Sequence, residues 1–399
     1  MSHRDTPRLL LFEPNAGGHH AGYAGHLMEA WRRWQLPGRL VVAGSPLLFA
    51  DRPDLRALAG STSHGRIDID SMPTALSLEG LPLLQKGWHE SRLLGDVLAQ
   101  HRPRQALAMS GDHTQFALAI GRHIPSTVQL SLLLLRVSHH RPVTPTSFGS
   151  RFTKLRKRSL LSLAARSPRA GAFLTSDPAA VTALRALGAN GVYIPDPVPL
   201  PACTDQREAV RNTYRVASGR KLFLVYGALA ERKGVFTILE AVRRLPQNVA
   251  ANTAVLFAGP IQSDIAGLFL TRLEAMRLKT PAQLLLHDAF LHEAETCALL
   301  RASDVVLAPY LNHSGTSSVL IRAAGARRPV ISQREGLMGE QVTTHCLGQT
   351  IDASDPADLA RALQTEETGF EPDRAFAFAQ TQTPEAYARA TFDALGLSQ

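Results

Sequence analysis

Strand-length apolar runs alternate with helix-length segments along almost the whole chain, and the alternation breaks once, at Ile194-Pro195-Asp196-Pro197-Val198-Pro199-Leu200-Pro201. Four prolines in seven residues hold neither a helix nor a central strand. On either side of this seam the pattern is that of strand–helix–strand units, which close into parallel sheets. In the first half strands are expected at 9–12, 40–43, 67–69, 105–109, 128–134, 172–175 and 192–194, with helices around 21–34, 88–100, 113–123 and 177–187. The second half restarts with strands at 221–226, 254–258, 284–287, 305–307 and 330–331, and helices around 235–245, 264–278, 293–302 and 318–326. The fold class expected is therefore α/β, with two doubly wound parallel-sheet domains. A length of 399 residues is ample for two such cores.

Composition excludes several alternatives. With 45% hydrophobic and 19% charged residues the chain is of ordinary globular type. Its longest apolar run, Leu222 to Ala230, is interrupted by Gly227 and is about half of what a bilayer requires. Leu9-Leu10-Leu11-Phe12 is too short for a signal-peptide core, so a cytoplasmic protein is expected. Cys203, Cys297 and Cys346, odd in number and far apart, suggest thiols instead of a disulfide framework or a zinc site. Charge is uneven: residues 1–198 hold 23 basic and 13 acidic side chains, residues 199–399 hold 20 and 21. A basic half favours an anionic partner, such as an acidic membrane surface or a charged substrate, with a plain solvated surface as the competing reading. It lacks the aromatic interleaving of a nucleic-acid module, and no nucleic-acid partner is expected.

Open parallel sheets take ligands beyond the carboxyl ends of their strands, so the strand-to-helix loops are the places to inspect. After the first strand, Gly17-Gly18 lets backbone approach a ligand while free N–H groups and a helix dipole face an anion; an ordinary tight turn is the alternative. His19, His20 and His26 lack the i,i+4 pairing of a helical metal site, and no metal is expected. In Tyr226-Gly227-Ala228-Leu229-Ala230-Glu231-Arg232-Lys233-Gly234, two cations open a helix against its macrodipole, which an anion would offset; a local pair with Glu231 competes. Ser314-Gly315-Thr316-Ser317 collects hydroxyls and orphan N–H donors at another helix start, where a phosphate or a simple N-cap would serve equally. His139 and His140 follow the strand ending at Leu134, well placed to touch a substrate hydroxyl or merely to lie on the surface. Beyond them, residues 141–176 carry eight basic residues and no acidic one, interleaved with leucines that do not fall cleanly on one helical face.

The order of these motifs resembles the glycosyltransferases of family 4, the group 1 transferases with the GT-B fold. Gly227 to Gly234 is similar to the family's G-R-L-x-x-x-K-G. Ser303-Asp304-Val305-Val306-Leu307-Ala308-Pro309-Tyr310 is similar to its A-D-V-x-x-x-P-S, and Ser314-Gly315 through Arg322-Ala323 occupies the place of its E-G-F-G-x-x-x-x-E-A. Pro329-Val330-Ile331-Ser332 and Glu335 to Val342 echo its P-V-I-x-S and G-G-x-x-E-x-V. Ile194-Pro195-Asp196 stands where the family has I-P-N. Three places depart from the pattern: Ala228 replaces an arginine, and Ser314 and Arg322 replace two acidic residues.

The resemblance implies two Rossmann-like domains facing a cleft that closes on binding. Residues 1–198 would bind the acceptor, 199–380 the nucleotide sugar, and a helix in 381–399 would pack back on the first domain. It implies a retaining glycosyltransferase, hexosyltransferase-like, moving a sugar from a nucleoside-diphosphate sugar to an acceptor hydroxyl in glycan, glycolipid or glycoconjugate synthesis. No metal and no other cofactor is implied. Gly17, Gly18, Arg232, Lys233, Ser314, Gly315, Thr316 and Ser317 would hold the donor diphosphate; Gly227, Arg322 and Glu340 would lie near the nucleoside; His139 or His140 would orient sugar or acceptor. For Arg322 the options are a phosphate, the base, or an ion pair with Glu335 or Glu340. A peripheral position at the inner face of a membrane fits the basic half. The replaced acidic positions support an alternative, a catalytically silent protein of the same fold that binds a nucleotide or partners another transferase.

Overall fold

The computed structural model describes residues 8–15, 20–72, 82–121, 123–135, 148–200, 206–366 and 369–397. Two compact units divide the chain: Met1–Pro197 together with Pro384–Gln399, and Val198–Thr383.

The first unit is built on eight strands: β1 (Leu9–Glu13), β2 (Gly38–Gly44), β3 (Gly60–Ser61), β4 (Gly65–Ser71), β5 (Gln105–Ala108), β6 (Gln129–Leu133), β7 (Ala170–Thr175) and β8 (Asn190–Tyr193). They lie in the order β3-β4-β2-β1-β5-β6-β7-β8, parallel except for the two-residue β3. Leu9 to Phe12 are all fully buried because β1 is covered on both faces, as uninterrupted apolar strands of parallel sheets are. Leu9 and Leu11 pack with Leu40, Val42 and Leu107 on one face; Leu10 and Phe12 pack with Val41, Ala43 and Ala106 on the other. The helix Pro384–Ala394 completes the first of these layers. Phe392 meets Trp31 edge-on at 5.9 Å and Tyr387 meets Tyr23 at 5.2 Å. The Tyr23 hydroxyl donates to the Asp196 carboxylate, within the proline seam.

The second unit has six parallel strands, β9 (Lys221–Tyr226), β10 (Thr253–Ala258), β11 (Gln283–His287), β12 (Val305–Ala308), β13 (Val330–Gln333) and β14 (Gly348–Ile351), in the order β11-β10-β9-β12-β13-β14. Phe223, Val225, Val255 and Phe257 pack under the helices Val235–Arg243, Ala266–Arg277 and Pro356–Gln364; Leu222, Leu224, Leu256 and Ala254 pack under Ser318–Gly325 and Pro372–Thr381. Each Leu, Val or Phe among these contributes roughly 1.5–3 kcal/mol on burial.

Expected and observed strands agree to within a few residues. Two were not expected, β3 and β14, both at sheet edges where Gly60-Ser61 and Gly348-Gln349-Thr350-Ile351 show little apolar patterning. The arginine-rich stretch lies largely in one helix, Phe148–Ala165, with Leu155 and Leu163 exposed. Among the described residues no helix is long and apolar enough to cross a membrane. Cys297 is disulfide-bonded, contrary to the thiol expected, and Cys346 is free; with three widely spaced cysteines only tertiary proximity decides which of them pair.

Candidate functional site

The second sheet reverses direction at β9, since β10 and β11 run out on one side and β12 to β14 on the other. The crevice beyond the carboxyl ends of β9 and β12 is its topological switch point, where such sheets place their ligands. Two loops bound it, and both carry expected site residues.

The loop after β9 turns at Gly227, in left-handed conformation at φ 82°. Leu229 N–H donates to Pro260 O at 2.8 Å. Glu231–Lys233 then form a single 3-10 turn, and Gly234, at φ 70°, starts the helix Val235–Arg243. Gly234 has no room for a side chain, since a Cβ there would lie 2.3 Å from Pro309 O in the opposite loop; a Cβ on Gly227 would lie 2.8 Å from Lys233 Nζ and so press on the ammonium.

This close approach encloses Lys233, which is only 6% exposed. Its Nζ donates to Tyr226 O and lies 6.0 Å from the Tyr226 ring centre and 5.7 Å from that of Tyr310. Burial, and then the neighbouring Arg232 charge, push its pKa down to about 8. Arg232 itself is exposed, with its guanidinium 5.9 Å from the Tyr310 ring. Its carbonyl accepts from Leu311 N–H at 2.7 Å, tying the two loops together.

The loop after β12 is held by its own side chains. The His313 ring stands edge-on to Tyr310 at 5.5 Å. Its Nε2 donates to Thr316 O at 2.9 Å, since a carbonyl can only accept. Ser317 caps the helix Ser318–Gly325, accepting from Val319 N–H at 3.3 Å, and it also bonds the buried Tyr310 hydroxyl. Gln333 Nε2 donates to His313 O and, at 3.1 Å, to Glu335 O. Thr316 Oγ1 lies 3.5 Å from Gln341 Oε1, and Ser314 is exposed.

Gly227, Arg232, Lys233 and the Ser314-Gly315-Thr316-Ser317 segment thus share one crevice. Glu340 is exposed on the helix Gly336–Thr344. Arg322 pairs with Glu293, at the start of the helix Glu293–Ala302, and not with Glu335 or Glu340. The pair borders a small cavity of about 30 Å³ with Leu200, Cys297 and Arg301. Tyr226 stands between Lys233 and this pair. Its carbonyl takes the ammonium, and its buried hydroxyl, without a hydrogen-bond partner, feels the charges of Arg322 and Glu293. Tyr226, Tyr310 and His313 stood in the sequence motifs without a role of their own; Gln333 and Glu293 were not singled out, and Glu293 lies 29 positions from Arg322. Gly17, Gly18, His139 and His140 lie outside the described residues. Among the described residues no group of three or more His, Cys, Asp or Glu is placed to hold a metal.

Residues 206–374, within the second unit, match the family model of the glycosyl transferases, group 1. The chain is similar in structure to Anabaena Alr3699/HepE, solved in complex with UDP, at 16% identity and TM-score 0.67, covering 98% of this chain and 99% of that one. It is similar to WaaG, a glycosyltransferase involved in lipopolysaccharide biosynthesis, at 13% identity and TM-score 0.64, with 98% and 99% covered. Sucrose-phosphate synthase from Thermosynechococcus elongatus gives 15% identity and TM-score 0.67, with 98% of each chain covered. At these identities the likeness establishes the fold, the two-unit α/β architecture of GT-B glycosyltransferases. No curated protein matches the sequence.

Lys233 is a costly residue for the unliganded protein, because a buried ammonium with one carbonyl partner gives up most of its hydration. Lys233→Met, similar in length and uncharged, should leave the melting temperature at pH 7 unchanged or raised. A loss of more than about 2 kcal/mol in denaturant titration would instead make Lys233 a structural residue.

Proposed function

We propose, from the group 1 match of the second unit and the cation buried at its switch point, that the protein transfers a sugar from a nucleoside-diphosphate sugar to an acceptor hydroxyl. Lys233 carries this reading. A cation kept 6% exposed against its own solvation is expected where an anion arrives to compensate it. Arg232 beside it and the N–H groups of Gly315 and Thr316 across the crevice supply further positive charge and donors for a diphosphate. That the structurally similar Anabaena protein was solved with UDP supports the same ligand class.

The chemistry required is departure of the diphosphate. The bond from the anomeric carbon to the phosphate oxygen breaks with its electron pair going to the diphosphate, the acceptor oxygen bonds to that carbon, and the acceptor proton leaves with the phosphate. Charge accumulates on the leaving oxygens, so fixed cations and donors there lower the barrier. Retention at the anomeric carbon, a hexose as the group moved, and independence of metal ions form part of the proposal. Gly17, Gly18 and one of His139 and His140 are assigned to it by the family resemblance.

The test is transfer from a panel of UDP-, GDP-, ADP- and dTDP-sugars, read as nucleotide release, with wild type and Lys233→Ala. Wild-type turnover, and a loss of about 1.5–3 kcal/mol in nucleoside-diphosphate affinity in the variant, are expected for a hydrogen bond to a charged group. Tight nucleotide binding with no release across the panel would favour the silent-partner reading, and unchanged affinity in Lys233→Ala would remove the phosphate assignment.

The Arg322–Glu293 pair bears on which nucleotide is taken. Where the family has a carboxylate that accepts from ribose hydroxyls, Arg322 has only donors, and its charge is already met by Glu293. Arg322→Glu alone would set two carboxylates against each other. The charge-swapped variant, Arg322→Glu with Glu293→Arg, keeps the pair and returns a carboxylate to the family's place. It should raise the ratio of UDP to dTDP affinity over wild type; an unmoved ratio in calorimetry would show that neither side chain faces the ribose.

A further inference from the structure

The first unit has a switch point of its own. β2 lies on one side of β1 and β5 on the other, so the crevice beyond the carboxyl ends of β1 and β5 is the ligand position of that sheet. Glu13 ends β1 and is fully buried. Its Oε1 accepts from Asn15 N–H at 2.9 Å and from Ser110 Oγ at 2.7 Å, and Asn15 Nδ2 donates to the same hydroxyl at 2.8 Å. Ser110 immediately precedes the helix Gly111–Ile120, whose first residues include Asp112 and His113.

Behind His113 stands Glu90, on the helix Leu83–His101 and wholly buried. Glu90 Oε1 meets His113 Nδ1 at 3.0 Å, while Oε2 has no hydrogen-bond partner. A buried carboxyl with half of its acceptors idle is costly, and an apolar side chain would fill the core without that cost. Burial raises the Glu90 pKa against the opposing pull of His113, with Glu13 and Asp112 adding to the rise. The Glu90 hydrogen bond raises the His113 pKa in turn, against burial and with Lys86 opposing. With its proton held on Nδ1 by Glu90, a neutral imidazole presents Nε2 as an acceptor. The His113 side chain is 31% exposed, so the ring reaches solvent while its anchor does not.

We propose that the Glu90–His113 pair forms a hydroxyl-binding subsite at the β1/β5 crevice, in which His113 Nε2 accepts a hydrogen bond from a hydroxyl of a neutral carbohydrate. The ligand class rests on the glycosyl-transfer reading above; the subsite rests on the geometry. Among the described groups felt by the ring, Glu90 and Asp112 outnumber Lys86, so an anionic group is disfavoured at this spot even though residues 1–198 are basic as a whole. A hydroxyl donor suits it, and it should bind less well as pH falls through the His113 pKa, because imidazolium has no acceptor.

The experiment uses the full chain with isotope-labelled histidine, titrated with methyl glycosides of glucose, galactose, mannose and N-acetylglucosamine while the ring signals are followed by NMR. Binding of UDP, GDP, ADP and dTDP is measured by calorimetry on the same samples. At least one glycoside should shift the His113 signals, His113→Ala should weaken that glycoside about tenfold or more, and UDP affinity should stay unchanged. Glu90→Gln should lower the His113 pKa toward its ordinary value, and so carry the loss of glycoside binding on acidification to lower pH. If UDP binds but no glycoside moves the His113 signals, or if His113→Ala binds the glycoside as wild type does, the subsite is overturned and the donor reading stands. If a glycoside shifts His113 but none of UDP, GDP, ADP and dTDP binds, the subsite stands and the donor reading falls.

Discussion

A lysine ammonium held almost out of water organises the second unit's switch point. Lys233 is admitted because Gly227 and Gly234 leave the β9 loop without side chains where it folds back on itself and against Pro309. It is tolerated because the Tyr226 carbonyl and two tyrosine rings replace part of its lost hydration. The β12 loop depends on the same contacts: Tyr310 packs on Lys233 and Arg232, Ser317 fixes Tyr310, and His313 fixes Thr316.

Both sheets bring functional groups to the place where their strand order reverses, yet with opposite chemistry. In the second unit the reversal at β9 and β12 is lined by Arg232 and Lys233. In the first, at β1 and β5, it is lined by Glu13, Asp112 and the Glu90–His113 pair. One crevice suits anionic oxygens and the other suits hydroxyl donors. The basic excess of the first half says otherwise, because net charge counts exposed arginines such as Arg156 and Arg158 along with the few groups at the crevice.

The fold was legible in the sequence because buried parallel strands are written as continuous apolar runs, as in Leu9 to Phe12 and Leu222 to Tyr226. What escaped lies at sheet edges, where β14 buries only Ile351 and its Gly-Gln-Thr-Ile carries no pattern. The phosphate-loop candidates were legible too, since glycines and cations at a strand-to-helix turn are local signals. Their supports were not. Nothing near Arg322 in the sequence points to Glu293, nothing near His113 points to Glu90, and the role of Tyr226 depends on a carbonyl whose partner is seven residues on. Such partners are chosen by which helices lie side by side, and only the folded chain decides that.

The central claim is that Lys233 is a buried cation awaiting a diphosphate, and proton linkage tests it most directly. With its pKa at about 8 in the free protein, Lys233 is largely neutral near pH 8.5 to 9, and a bound diphosphate should recharge it. Calorimetry of UDP binding in that pH range, in two buffers of different ionisation enthalpy, should therefore show net proton uptake that is absent in Lys233→Met, with affinity falling as pH rises further. Binding of UDP with no proton uptake, or with the same uptake in the variant, would contradict the account.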